Sequence, residues 1–132
     1  MEPTAETAVP TDVPMPAPAE AVIDFEHLAR MTLGEPSLEA EVLTLFDRQA
    51  DILLARMQDA PPAAVAAFAH TLKGSARGIG AWRVAEAAEA VEMNAIRSYT
   101  GGGARAAARL AAAVEEAKAV IADRLRLYRA RE

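Results

Sequence analysis

Cysteine is absent from this 132-residue chain, so disulfides, thiolate nucleophiles and cysteine-based metal sites are excluded, and the redox compartment is left open. Histidine is scarce. His27 and His70 stand far apart, and no His, Asp or Glu lies three or four residues from His70, so the sequence offers no metal-ligand pair on a helix. Excess positive charge is missing too: 14 Lys and Arg face 19 Asp and Glu, a formal charge of −5, which argues against nucleic acid as a partner because counterion release needs a broad basic surface. No apolar run approaches the roughly 18 residues of a membrane span, and the first residues lack the basic and apolar regions of a signal peptide. The expectation is a cytoplasmic protein with no membrane association.

What is present is unevenly distributed. Residues 1–21 hold five of the eight prolines, no aromatic residue, and the acids Glu2, Glu6, Asp12 and Glu20 without a compensating cation. Such a segment cannot bury enough apolar area to offset the entropy of ordering, so it reads as a disordered Pro-rich tail or linker. The remaining 15 acids against 14 basic residues leave residues 22–132 near −1.

From Val22 onward the pattern is helical: the segment is about a quarter alanine and rich in other strong helix formers, with no period-two alternation that would mark strands. A short first helix is expected over roughly Asp24 to Met31, before Gly34 and Pro36. A second runs from Ser37 or Glu35 to about Gln58, with Pro36 tolerated in its first turn and Leu38, Val42, Leu45, Phe46, Leu53 and Met57 as its inward face. A third spans about Pro62 to Arg77 and is punctuated by Gly78 and Gly80. The fourth covers about Ala81 to Arg97 with Val84, Ala88, Val91 and Ala95 inward. The fifth, after SYTGGG, covers about Ala104 to Arg129, with Ala107, Leu110, Val114, Ala117, Ile121, Leu125 and Tyr128 at the steps of a bundle seam. Four long helices on short connections predict an all-α, antiparallel up-down-up-down four-helix bundle with a short additional N-terminal helix. A bundle of this size closes its own core, so a monomer is expected.

The third helix contains HTLKGSARGIGA, residues 70–81. On a helical wheel Val65, Phe68, Ala69, Leu72 and Ala76 gather in one sector, and His70 falls about 150° from its centre, facing solvent. Ala63, Ala66, Ala67, Lys73, Gly74 and Arg77 share its side, mostly residues too small to block an approaching surface. Between Asp59 and Glu86 there is no acid, whereas Lys73, Arg77 and Arg83 fall in that interval, so the helix reads as a basic island. Gly74 costs about 1 kcal/mol relative to alanine inside a helix, and close approach of a partner would account for it. His27 has no such setting and reads as a surface or packing residue. An imidazole, titrating near 6.5, is a competent nucleophile at pH 7. The sequence around His70 supplies no carboxylate, serine or second histidine to run hydrolysis, so the chain is not read as a self-contained enzyme. Lys73, one turn along, can hold a phosphoryl oxygen, and Arg77 can attract an acidic partner.

His70, Leu72, Lys73, Gly74, Ser75, Ala76, Gly80 and Ala81, with Val91 and Glu92 in the next helix, resemble the signature of histidine-containing phosphotransfer (HPt) domains, HxLKGSxxxxGA followed by a helix bearing an apolar-Glu pair. The resemblance covers about residues 22–132. It implies that His70 accepts and donates a phosphoryl group, that Lys73 steadies it, that Gly74 leaves room for a receiver domain, and that Gly80 and Ala81 shape the passage into the next helix. Partner-binding positions are then Ala66, Ala67, Gly74 and Arg77. The implied partners are receiver domains of a hybrid histidine kinase and of a response regulator. The receiver brings the aspartate, the Mg²⁺ and the other catalytic groups; the carrier chain needs no cofactor and no metal. Two alternatives stay open: the phosphoacceptor domain of a larger histidine kinase, and a helical receiver-binding module that never carries phosphate.

Overall fold

The computed structural model describes residues 18–97 and 103–131. Its elements in chain order are α1 (Ala19–Val22), α2 (Phe25–Met31), α3 (Pro36–Met57), α4 (Pro62–Ile79), α5 (Trp82–Arg97) and α6 (Gly103–Ala130). Residues 1–17 of the expected tail and residues 98–102 of the SYTGGG connection lie outside the described residues. Helical backbone begins at Ala19, three residues ahead of the boundary expected at Val22, and this single turn delivers Val22 and Ile23 into the core.

Local chemistry sets the helix ends. Asp24 caps α2 by accepting the backbone N–H of His27 at 3.0 Å. Both α3 and α4 start with proline in the first turn, where the missing N–H has no intrahelical partner to lose. Gly80 closes α4 in the left-handed region at φ 81°, and the Ala81 N–H reaches back to the Ala76 carbonyl at 2.8 Å. A Cβ at Gly80 would stand 2.9 Å from the Asp24 carbonyl oxygen, whose own N–H bonds the Gly80 carbonyl at 2.9 Å. Only glycine fits this corner, and it ties α2 to the α4–α5 turn.

Cross-helix ion pairs record the topology. Arg77 meets Glu89, Arg83 meets Glu116, Arg109 meets Glu86, and Lys118 meets Asp47 and Asp51. With Lys73–Glu92 and Glu39–Arg124 added, rising numbers on one helix meet falling numbers on the other for α4 with α5, α5 with α6, and α3 with α6. The four long helices therefore form the antiparallel up-down-up-down bundle expected from sequence, and α1 and α2 cover one end. The core is Leu43, Phe46, Ala50 and Leu53 of α3, Ala69, Leu72, Ala76 and Ile79 of α4, the Val84–Val91 face of α5, and Leu110, Val114, Ala117 and Ile121 of α6.

The inward face of α3 differs from the expected one. Phe46 and Leu53 are buried as expected, but Leu38 and Leu45 are 39% and 57% exposed, while Leu43 and Ala50 are fully buried. Large apolar residues drew the expected stripe toward one side, whereas burial follows the line along which α6 and α4 approach, and a small Ala50 fills it. Glu39, an acid in the first turn of α3, is also buried, and its carboxylate accepts the Tyr128 hydroxyl of α6.

Candidate functional site

His70 stands on the outer crest of α4 with its side chain 68% exposed, as the wheel predicted, while Ala69 and Leu72 on either side of it are fully buried. Ala67 and Gly74 are exposed beside it and Ala66 is half-buried. No atom lies within 4 Å of where a Cβ on Gly74 would sit, and its backbone has no positive φ. The fold does not require glycine there.

The sequence reading missed the carboxylate. Glu92 of α5 spans both site side chains: its Oε2 lies 2.9 Å from His70 Nδ1, and its Oε1 accepts Lys73 Nζ at 2.7 Å. The Lys73 and Glu92 side chains are each only 13% exposed. The Lys73 ammonium, then the hydrogen bond from His70, hold the Glu92 carboxyl below the ordinary glutamate value against the opposing effect of burial. An ionised carboxylate can only accept, so His70 Nδ1 donates its proton to Glu92, and in the neutral ring the lone pair is then on Nε2. The contact orients the ring, with Nδ1 turned toward Glu92.

This arrangement corrects the electrostatic reading. Lys73 is engaged by Glu92, and Arg77 stands 3.8 Å from Glu89, so the cations of the motif helix are matched by acids of α5 and the island is close to neutral. The acids escaped notice because they are distant in sequence. The hairpin nonetheless encodes them: His70 lies ten residues before Gly80 and Glu92 eleven after Ala81, which places them level on antiparallel neighbours.

Among the described residues, no group of three or more His, Asp or Glu is placed to hold a metal ion, and no helix is long and apolar enough to cross a membrane.

The helical bundle presents an exposed imidazole, in contact with a carboxylate of the neighbouring helix, on its outer crest. Comparison with known families places the chain: the family model described as Hpt domain matches residues 38–127, and the chain belongs to that family. Hpt domains act with receiver domains in two-component phosphorelays. Among solved structures, the fold is similar to the crystal structure of a rice protein described as a histidine-containing phosphotransfer protein, with a TM-score of 0.71 and 23% identity over 83% of each chain. No curated protein matches the sequence.

Proposed function

We propose that His70 is the phosphoryl acceptor and donor of a phosphorelay, taking the group from the aspartyl phosphate of one receiver domain and passing it to the aspartate of another. The observation that carries this reading is the Glu92 bridge, which fixes the His70 proton on Nδ1 and leaves Nε2 free. In the forward step the Nε2 lone pair attacks phosphorus, the Nε2–P bond forms, and the P–O bond to the aspartate breaks with its electron pair leaving on the carboxylate. No proton needs to move, because the ring keeps Nδ1–H and donates it to Glu92 throughout.

The phosphoryl group carries close to two negative charges at neutral pH, by analogy with other phosphorylated side chains, offset in part by the positive charge of a ring that keeps its Nδ1 proton. Glu92 alone would repel them. Lys73 lies between, one turn from His70 and within hydrogen-bond distance of Glu92, and its ammonium offsets both anions. Mg²⁺ belongs to the receiver in this reading and supplies charge neutralisation there; the present chain contributes orientation, a nucleophile and one cation.

The test is incubation with phosphorylated receiver domains followed by chemical characterisation of the label. An acid-labile, alkali-stable phosphoryl group that disappears in His70→Gln supports the proposal; because the side chain is exposed, that variant should melt within about 0.5 kcal/mol of the parent. Label that survives in His70→Gln, or that proves to be on serine or threonine, would overturn it.

A further inference from the structure

The bundle closes its core with its own helices, yet α3 carries a second apolar row outside that core. Leu38, Leu45 and Ile52 are 39%, 57% and 49% exposed, and they recur at intervals of seven residues. Seven residues fall about 20° short of two full turns, so the three side chains form one nearly straight row, about 21 Å from end to end. Three large aliphatic side chains in line are more than the scattered apolar exposure usual on a small monomer. The row has its own charges. Glu41 and Arg48, also seven residues apart, lie along one edge of it, and Glu35 and Arg56 lie beside its two ends. All four are exposed, and none has an ion partner among the described residues, whereas Asp47 and Asp51, on the α6 side of the same helix, both pair with Lys118.

We infer that this row is a self-association face: two copies of the chain pack α3 against α3, antiparallel, about a two-fold axis at Leu45. Under such an axis, residues equally distant from Leu45 face each other across the contact. Leu45 then meets its own copy, and Leu38, seven residues before it, meets Ile52, seven after. Glu41, four residues before, comes level with Arg48, three after, on the same edge of the row. Glu35, ten residues before, comes level with Arg56, eleven after. Each copy thereby supplies the acids that the other's arginines lack. A parallel pair is opposed by the same charges, because it sets Glu41 against Glu41 and Arg48 against Arg48. The contact is independent of whether His70 carries phosphate. A single helix pair buries less than the roughly 1,200 Å² of a stable complex, so the dimer is weak, with a Kd on the order of 0.1 mM.

The experiment is sedimentation equilibrium of the full chain from about 20 µM to about 1 mM at low ionic strength, with the helix content of every variant checked by circular dichroism. The parent should rise from the mass of one chain toward that of two. Leu45→Glu, which sets two carboxylates together on the axis, should stay monomeric. Glu41→Arg or Arg48→Glu alone should weaken association by about tenfold, and the two together should recover most of it, because the swap restores opposite charges across the axis. Leu127→Glu, at a leucine of α6 that is 53% exposed, should associate like the parent. A chain without cysteine also allows the register to be read by cross-linking. On oxidation Leu45→Cys should link to itself, and a mixture of Leu38→Cys and Ile52→Cys should give the mixed dimer over either self-linked product. A chain that stays monomeric at the highest concentration overturns the inference and leaves the row to a partner of another kind. Association that survives Leu45→Glu overturns the choice of face. A double charge swap no better than the single reversals, or Leu38→Cys linking chiefly to itself, overturns the antiparallel register.

Discussion

Replacing Gly74 by alanine should make the protein more stable and a poorer carrier. The stability change follows from the surroundings: the residue lies inside α4, its φ is not positive, and a Cβ would find no atom within 4 Å. Glycine in a helix interior costs about 0.5–1 kcal/mol relative to alanine, chiefly through the entropy of the unfolded chain, and nothing here opposes recovering it. For a domain of this size the gain corresponds to a rise in Tm of about 2–5 °C. Function should move the other way. In the proposed transfer a methyl group on the crest one turn from His70 stands where a partner must pack, and overfilling a fitted contact costs about 1–3 kcal/mol, a loss of roughly thirtyfold in kcat/KM at the middle of that range. Gly80→Ala is the contrasting variant: with φ at 81° and the Asp24 carbonyl 2.9 Å from the new Cβ, it should be destabilised by about 2 kcal/mol or more. Thermal melts followed at 222 nm and transfer kinetics from a phosphorylated receiver measure both effects. A lower Tm for Gly74→Ala would show that the space around the residue is not open. A higher Tm with unchanged transfer would show that the glycine is not kept for a partner.

Two further predictions concern the polar contacts between helices. Glu92→Ala should slow transfer by removing the acceptor that fixes the ring, and should cost about 1–2 kcal/mol because the mostly buried Lys73 loses its counterion; Glu92→Gln, which keeps an acceptor oxygen, should recover part of the rate. The Glu92 carboxyl is held below its ordinary value of 4.5, so the contribution of its pairing is complete above that pH and is lost as the pH falls through the lower native value. Melts between about pH 5 and 3 should accordingly fall more steeply for the parent than for Glu92→Ala. Burial, then the bond to Glu39, raises the Tyr128 phenol above its ordinary value of 10.0, so its contribution is complete below that pH and fades as the pH rises through the raised value. Absorbance at 295 nm should show a tyrosine titrating late. Tyr128→Phe should remove that signal and about 1–3 kcal/mol, since Glu39 Oε2 already lacks a hydrogen bond although Arg124 stands 3.5 Å away.

Periodicity and punctuation carried the fold because they are local. Pro36, Pro61, Pro62 and Gly80 sit where the backbone turns, and of the expected seam of α6 Leu110, Val114, Ala117 and Ile121 are buried, Leu125 and Tyr128 are half-buried, and Ala107 is exposed. The face of α3 was not legible by the same means. Leu38 and Leu45 read as core, yet they point outward together with Ile52, and the inward line runs through Leu43 and Ala50. A pattern of large apolar residues cannot say whether it is covered by the chain's own helices or by another protein. At the site, the outward projection of His70 was legible from the wheel, because it depends on one helix alone. The proton on Nδ1 was not, since it depends on a carboxylate 22 residues away. Glu92 entered the sequence reading only through a family resemblance, with no contact assigned to it.

Alanine along the α4–α5 interface bears on the distance on which the site depends. Ala69 and Ala76 of α4, with Ala85 and Ala88 of α5, are buried together with Ala81 at the turn between these helices. Side chains that short let the two helix axes approach toward the lower end of the usual 8–10 Å range. Lys73 and Glu92 are long enough to meet across many interfaces, but an imidazole attached by one methylene is not. His70 can keep its ring exposed and still touch Glu92 at 2.9 Å only if α5 lies close beside α4. The small-residue interface is therefore part of how the nucleophile is oriented: widening it would leave the lysine–glutamate pair intact and release the histidine.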